Sequence, residues 1–73
     1  MFVTSLETYN YDAEQFEEEY EWRGDVFDEQ VAKWKSIFDR TNAAEEGGQA
    51  WRVLLRDGSQ YLRAEYVSRP EGF

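Results

Sequence analysis

The sequence predicts an α+β fold for a small single domain: an antiparallel sheet, in the order β-β-α-β-β, with one main helix packed on one face. Three observations carry this. Residues 50–67, AWRVLLRDGSQYLRAEYV, alternate side-chain character about an Asp-Gly dipeptide, which is a hairpin signal. Residues 25–42, DVFDEQVAKWKSIFDRTN, repeat apolar side chains at helical spacing. Upstream, FVTSLET and QFEEEYEWR form two runs that can pair through a turn near NYDA.

The first of these elements to need justification is the acidic run. Residues 14–29, EQFEEEYEWRGDVFDE, hold eight carboxylates, one arginine and four aromatic residues. Two local structures fit residues 13–23. As a helix, Asp12 caps it, Gly24 ends it, Ala13, Phe16 and Tyr20 face inward, and Glu14, Glu17, Glu18 and Glu21 form one strip at a repulsive cost of about 1 kcal/mol. As a strand, Phe16, Tyr20 and Trp22 share one face, Glu17, Glu19 and Glu21 share the other, and Glu18 is the single misfit. Pairing with FVTSLET then sets Phe2 against Trp22 and Thr4 against Tyr20. Glutamate is a poor strand former. The strand is nevertheless preferred, because it places every tryptophan in the core.

The helix follows. Phe27, Val31, Trp34 and Phe38 make its buried stripe, with Ile37 beside them. Asp25 suits the N-cap, and Asp28 and Glu29 suit the positive end of the helix dipole. Glu29 with Lys33 and Lys35 with Asp39 are expected (i, i+4) pairs. The segment TNAAEEGG reads as a fraying last turn and a glycine-ended loop. In the C-terminal hairpin, Asp57-Gly58 as a type I′ loop sets Arg56 opposite Ser59, Leu54 opposite Tyr61 and Arg52 opposite Arg63. Trp51, Val53, Leu55, Leu62, Ala64 and Tyr66 then face the core. The tail SRPEGF, residues 68–73, is expected to be extended, with Pro70 ending the ladder. The expected core is Phe16, Tyr20, Trp22, Phe27, Val31, Trp34, Phe38, Trp51, Val53, Leu55 and Leu62.

One domain of 73 residues buries only about 60–65% of its unfolded surface. Without cysteine or histidine, no disulfide staples it and the usual zinc, haem and iron–sulfur sites are excluded. Thirteen aromatic residues carry the stabilising load. No stretch resembles a signal peptide or a membrane span, so a cytoplasmic location is expected.

The net charge of −8 is concentrated: residues 1–32 hold ten acids and one base, while the remainder balances to within one charge. Nucleic-acid binders present the opposite sign to phosphate. Direct contact with nucleic acid or an anionic membrane is therefore not expected, and a basic partner is. No phosphate-binding glycine loop, nucleophile elbow or histidine base is present, so the protein is expected to be non-enzymatic, with no cofactor. The pairs Asp25 with Asp28 and Glu18 with Glu21 have the chemistry for Mg²⁺ or Ca²⁺ but lack EF-hand spacing. Arg23-Gly24-Asp25 coincides with an adhesive tripeptide, yet its glycine and aspartate have ready roles as a turn and a cap.

A dense carboxylate array interleaved with aromatic residues suits docking onto a basic cleft, where opposite fields speed association and aromatic side chains supply contact energy. The expected function is an acidic protein-binding module, an inhibitor that occupies the basic cleft of a nucleic-acid-binding protein as a nucleic-acid mimic. In size, charge and aromatic content it resembles the small acidic inhibitors of the anti-CRISPR kind that phages deploy against host defence nucleases, and acidic immunity proteins and antitoxins. The resemblance is one of type, with no family motif matched residue by residue. The partner-binding candidates are Glu14, Glu17, Glu18, Glu21 and Asp25, with Tyr9 and Tyr11 as aromatic contacts. Glu17 and Glu21 point outward in both local readings. Lysine at positions 17, 18 and 21 is expected to abolish binding without changing the thermal midpoint. The alternatives are an intramolecular charge mosaic, in which these acids neutralise Arg52, Arg56 and Arg63, and a structural module acting through homo-oligomerisation.

Overall fold

The computed structural model describes residues 1–41 and 49–70 and has the expected β-β-α-β-β order. Strands β1 (Phe2–Asn10), β2 (Gln15–Arg23), β3 (Trp51–Asp57) and β4 (Gln60–Ser68) form one antiparallel sheet in the order β2-β1-β3-β4. Helix α1 (Phe27–Thr41) lies over β3 and β4. The strand reading of residues 15–23 is the correct one. The reading of TNAAEEGG falls largely outside the described residues, as does the end of the tail. Strand pairing stops at Ser68, two residues before Pro70.

The helix begins where the sequence places it. The Asp25 carboxylate accepts the Phe27 amide at 3.2 Å, and the Val26 carbonyl accepts the Gln30 amide at 2.9 Å. Phe27 and Val31 are buried with Leu6, Val53, Leu55 and Val67, and Trp22, Trp34, Phe38 and Trp51 pack around them. Fully burying a side chain such as Phe27 contributes about 1.5–3 kcal/mol. Trp34 stacks on Tyr20 with ring centroids 5.8 Å apart, and its indole N–H donates to Gln30 Oε1 at 3.1 Å. Neither expected (i, i+4) ion pair forms. Lys35 instead pairs with Glu65 on β4, and Lys33 lies beside the Trp34 ring.

The junction between β2 and α1 is fixed by one hydroxyl. Thr4 is fully buried, donates to the Gly24 carbonyl at 2.9 Å and accepts the Val26 amide at 3.1 Å. Gly24 turns the chain at φ +96°, a conformation that disfavours side chains.

The expected registers of both hairpins are overturned, partly at the turns and partly by bulges further along the strands. In the first hairpin Thr4 pairs with Trp22 and Leu6 with Tyr20, two residues from the expected register. Glu7 then pairs with Glu18, which leaves Glu19 as a bulge residue. In the second hairpin Asp57 pairs with Gln60, so the loop is Gly58-Ser59. Gly58 has φ +60° and Ser59 is not in the left-handed region, the sign pattern of a II′ turn. Leu62 and Val67 are further unmatched residues on β4, opposite shifts in β3.

These bulges reassign faces, since a one-residue slip inverts a strand. Phe16 and Tyr66 move to the sheet face away from the helix, where their rings meet at 6.2 Å. Leu62 becomes 41% exposed and Tyr20 55% exposed, so neither belongs to the core. Arg63 and Glu65 turn to the helix side: Arg63 lies 4.2 Å over the Phe27 ring and bonds Asp28, and Glu65 meets Lys35. Leu6, Leu54 and Val67 are buried although absent from the expected core.

Candidate functional site

The outer face of the sheet, away from α1, carries Glu7 from β1, Phe16, Glu18 and Glu21 from β2, Arg52 and Arg56 from β3, and Tyr66 from β4. It is a charge lattice. Arg52 Nε donates to Glu7 Oε1 at 2.7 Å, with the guanidinium 3.7 Å over the Phe16 ring. Arg56 reaches both Glu21, at 3.2 Å, and Glu18, at 3.5 Å. Leu54 lies on this face too and is buried, opposite Ser5 on one side and Ala64 on the other.

Glu18 has the most distinctive electrostatics. Partial burial, then a hydrogen bond that its protonated form donates to Glu21 and repulsion by Glu21 and Glu7, push its carboxyl above its ordinary pKa, against the attraction of Arg56. Two carboxylates share one guanidinium here, so a negative charge is left over.

The structure separates the candidate residues into three groups. Glu18 and Glu21 lie on the outer face and are engaged with Arg56. Glu17 does not stay outward with Glu21. The bulge at Glu19 turns Glu17 to the helix side of the sheet, opposite Thr8, where it accepts a 2.8 Å hydrogen bond from Asn10 Nδ2. Asp25 caps α1 and Glu14 closes the β1–β2 turn at φ +57°. That turn, residues 11–14, is held by Asn10 Oδ1, which accepts the amides of Asp12 and Ala13. Tyr9 meets Tyr11 and Phe16 edge-on at 5.1 and 5.2 Å, so the two tyrosines join the outer-face aromatic group.

The intramolecular mosaic is therefore present, but its members differ from those expected. Arg52 faces Tyr66 across the strands and finds its carboxylate in Glu7, which sequence reasoning had not singled out. Arg63 leaves the lattice altogether. The signal for Glu7 was its place at the pleat position opposite Arg52, legible only once β1 was known to pair with β3. The lysine substitutions at 17, 18 and 21 would consequently also break the Arg56 pairs, and do not isolate a docking role.

Nine acids occupy residues 11–29. Glu18, Glu21 and Asp28 are ion-paired, whereas Asp12, Glu14, Glu17, Glu19, Asp25 and Glu29 form no ion pair with any described residue. Among the described residues no group of three or more acids is arranged to hold a metal ion, and no helix is long and apolar enough to cross a membrane. A groove of about 230 Å³ between α1 and β4 is lined by Lys35, Phe38 and Tyr66 among others. It contains none of the candidate residues and is smaller than the roughly 300–1,000 Å³ of small-molecule sites. No protein family, curated protein or solved structure matches this chain.

Proposed function

We propose that this is a non-enzymatic, acidic protein-binding module that occupies the basic cleft of a nucleic-acid-handling protein, its carboxylates standing where phosphates would. The observation that carries the reading is the placement of the surplus acids. Every arginine of β3 is already satisfied from within, yet Asp12, Glu14, Glu17 and Glu19 pair with no cation among the described residues, along one exposed sheet boundary and its adjoining turn. Crowded like charges weaken a compact state, and a 73-residue domain has little stability to spare.

The density of charge fits the role. Glu17, Glu18, Glu19 and Glu21 put four carboxylates into five residues, about 16 Å of strand; with Arg56 neutralising one of them, the net charge is roughly one per 5 Å. One strand of duplex DNA carries about one phosphate per 3.4 Å. The reading implies a cytoplasmic site of action and a role of the kind phage counter-defence inhibitors perform. Homo-oligomerisation through β4, the other open edge, is disfavoured by the irregularities at Leu62 and Val67, which bend that strand away from regular pairing.

The test uses the wild type and a Glu14→Lys, Glu17→Lys, Glu19→Lys variant, which spares both Arg56 partners. Each is immobilised and offered lysate at about 0.05 M and about 0.2 M salt. The expected result is capture of a basic nucleic-acid-binding protein by the wild type alone, lost at the higher salt, together with release of nucleic acid from that protein on addition of wild type. Equal capture by both baits, or a self-associated bait that releases no nucleic acid, overturns the reading.

A further inference from the structure

The free boundary of the sheet is a second kind of recognition surface beside its charge. β2 is nine residues long and, among the described residues, pairs only with β1. The direction of each backbone group follows from two hydrogen bonds. The Gly24 amide donates to the Phe2 carbonyl at 2.7 Å, and the Tyr9 amide donates to the Ala50 carbonyl at 3.0 Å. Antiparallel strands alternate the direction of their backbone groups residue by residue. With the observed registers, Thr4 and Leu6 therefore bond toward β2, and Ser5 and Glu7 toward β3. On β2, Trp22 and Tyr20 turn inward, as do Glu17 and Gln15 beyond the bulge. The N–H and C=O groups of Arg23, Glu21 and Glu18 point out of the sheet, and no described strand lies against them.

We propose that a partner segment adds to β2 as a fifth strand, and that this segment alternates basic and apolar residues. The inference rests on the reading that the acidic boundary meets a basic partner. Side chains alternate across the new strand as they do across β2. On the outer face the added strand meets Glu18 and Glu21, which share the single Arg56, so its cations belong there. On the helix side it meets Tyr20, 55% exposed, and half-buried Trp22, with Glu17 beyond the bulge, so its apolar residues belong opposite the two rings. A second copy of this chain is excluded as the occupant. Pairing β2 with β2 sets glutamate rows against each other, and like charges directly opposite are destabilising. Strand addition draws affinity from main-chain hydrogen bonds and specificity from alternate side chains.

The test uses a synthetic peptide of alternating arginine and valine, as long as the nine residues of β2, with amide exchange followed by NMR. Two variants separate backbone from charge. Glu21→Gln removes the carboxylate and its Arg56 contact but keeps the outward N–H. Glu21→Pro removes the same carboxylate and also the outward donor, at an open-edge position where proline is tolerated. The expected result is slowed exchange at Glu18, Glu21 and Arg23 on binding, an affinity loss of about 2–5-fold for Glu21→Gln, and a further loss of about tenfold or more for Glu21→Pro. Should Glu21→Pro fail to fold, Glu18→Gln and Glu18→Pro give the same comparison. Absence of binding, absence of amide protection, or equal affinity of the proline and glutamine variants overturns strand addition. Equal affinities leave the charge-based docking reading standing. Failure of the lysate capture with intact peptide pairing removes that reading and leaves the edge as a strand receptor.

Discussion

Replacing Thr4 with valine removes one oxygen and tests what holds the acidic strand to the helix. Valine keeps the β-branched shape that suits a buried strand position. It cannot bond the Gly24 carbonyl or the Val26 amide, both of which now meet the Thr4 hydroxyl. Leaving a buried polar group unpaired costs about 1–3 kcal/mol. Both backbone groups are half-buried, so the lower part of that range applies to each, and the pair together costs about 2–3 kcal/mol. A domain of 73 residues has a total stability of about 4–11 kcal/mol. The substitution therefore removes about a fifth or more of it and lowers the thermal midpoint by about 10–20 °C. Urea unfolding monitored by tryptophan fluorescence is the direct assay, with the midpoint displaced and the slope unchanged. Thr4→Ser is the control: it keeps the hydroxyl, loses a buried methyl group and costs about 1 kcal/mol. A valine variant within about 0.5 kcal/mol of wild type, or a serine variant less stable than the valine one, refutes the argument that this hydroxyl ties β1 to the junction.

Two further substitutions probe the acidic strand itself. Glu14 holds φ +57°, where an L side chain costs about 1–2 kcal/mol. Glu14→Gly relieves that cost, partly offset by about 0.5–1 kcal/mol of glycine chain entropy, and is expected to raise stability by about 0.5–1 kcal/mol in a urea melt. Glu14→Ala keeps the strain and brings no such gain; a glycine variant less stable than the alanine one refutes the strain argument. Glu18 is expected to give a pH signature. Its folded-state pKa is raised, so the native state binds more protons than the unfolded chain between the ordinary and the raised value, and stability from this group falls as pH rises through that window. Glu18→Gln removes the effect. The variant is expected to melt above wild type at pH 7, by a modest margin because the side chain is partly solvated, with the difference shrinking below about pH 4. A difference that stays constant with pH, or a variant that melts lower at pH 7, refutes the assignment.

The helix and the second hairpin were legible because each rests on a local signal, whereas residues 13–23 fitted a helix as well as a strand and were settled by placing every tryptophan in the core. Phe27, Val31, Trp34 and Phe38 recur with the helical period, Asp25 caps them, and the glycine at position 58 marks the second turn. Strand order was not legible. It depends on which edges meet after the helix crosses over, and nothing within a single strand records that. The burial of Leu6 and Leu54 followed from β1 and β3 lying at the centre of the sheet. Phe16, Tyr20 and Leu62, each at or near a bulge, lie outside the core that alternation assigned them to.

The bulge at Glu19 explains both what the sequence hid and what it disclosed. Strict alternation through QFEEEYEWR left Glu18 as the one acid on an aromatic face, a conflict that no regular strand removes. An extra residue at Glu19 resolves it. Glu18 shifts to the face of Glu21 and Arg56, Phe16 follows it to meet Arg52, and Tyr20 and Trp22 stay on the helix side. The misfit was thus the local record of the bulge. The same extra residue divides the acids. Those on the lattice side neutralise β3, while Glu17 and Glu19 lie off it and meet no cation among the described residues. Because alternation alone assigns every glutamate to one face or the other, the division between structural and surplus charge appears only when the irregularity is known. An edge strand gains protection from self-pairing through such a bulge and such charges. Glu18 and Glu21 already place charge along this edge, and Glu17 and Glu19 add a surplus that protection alone does not account for.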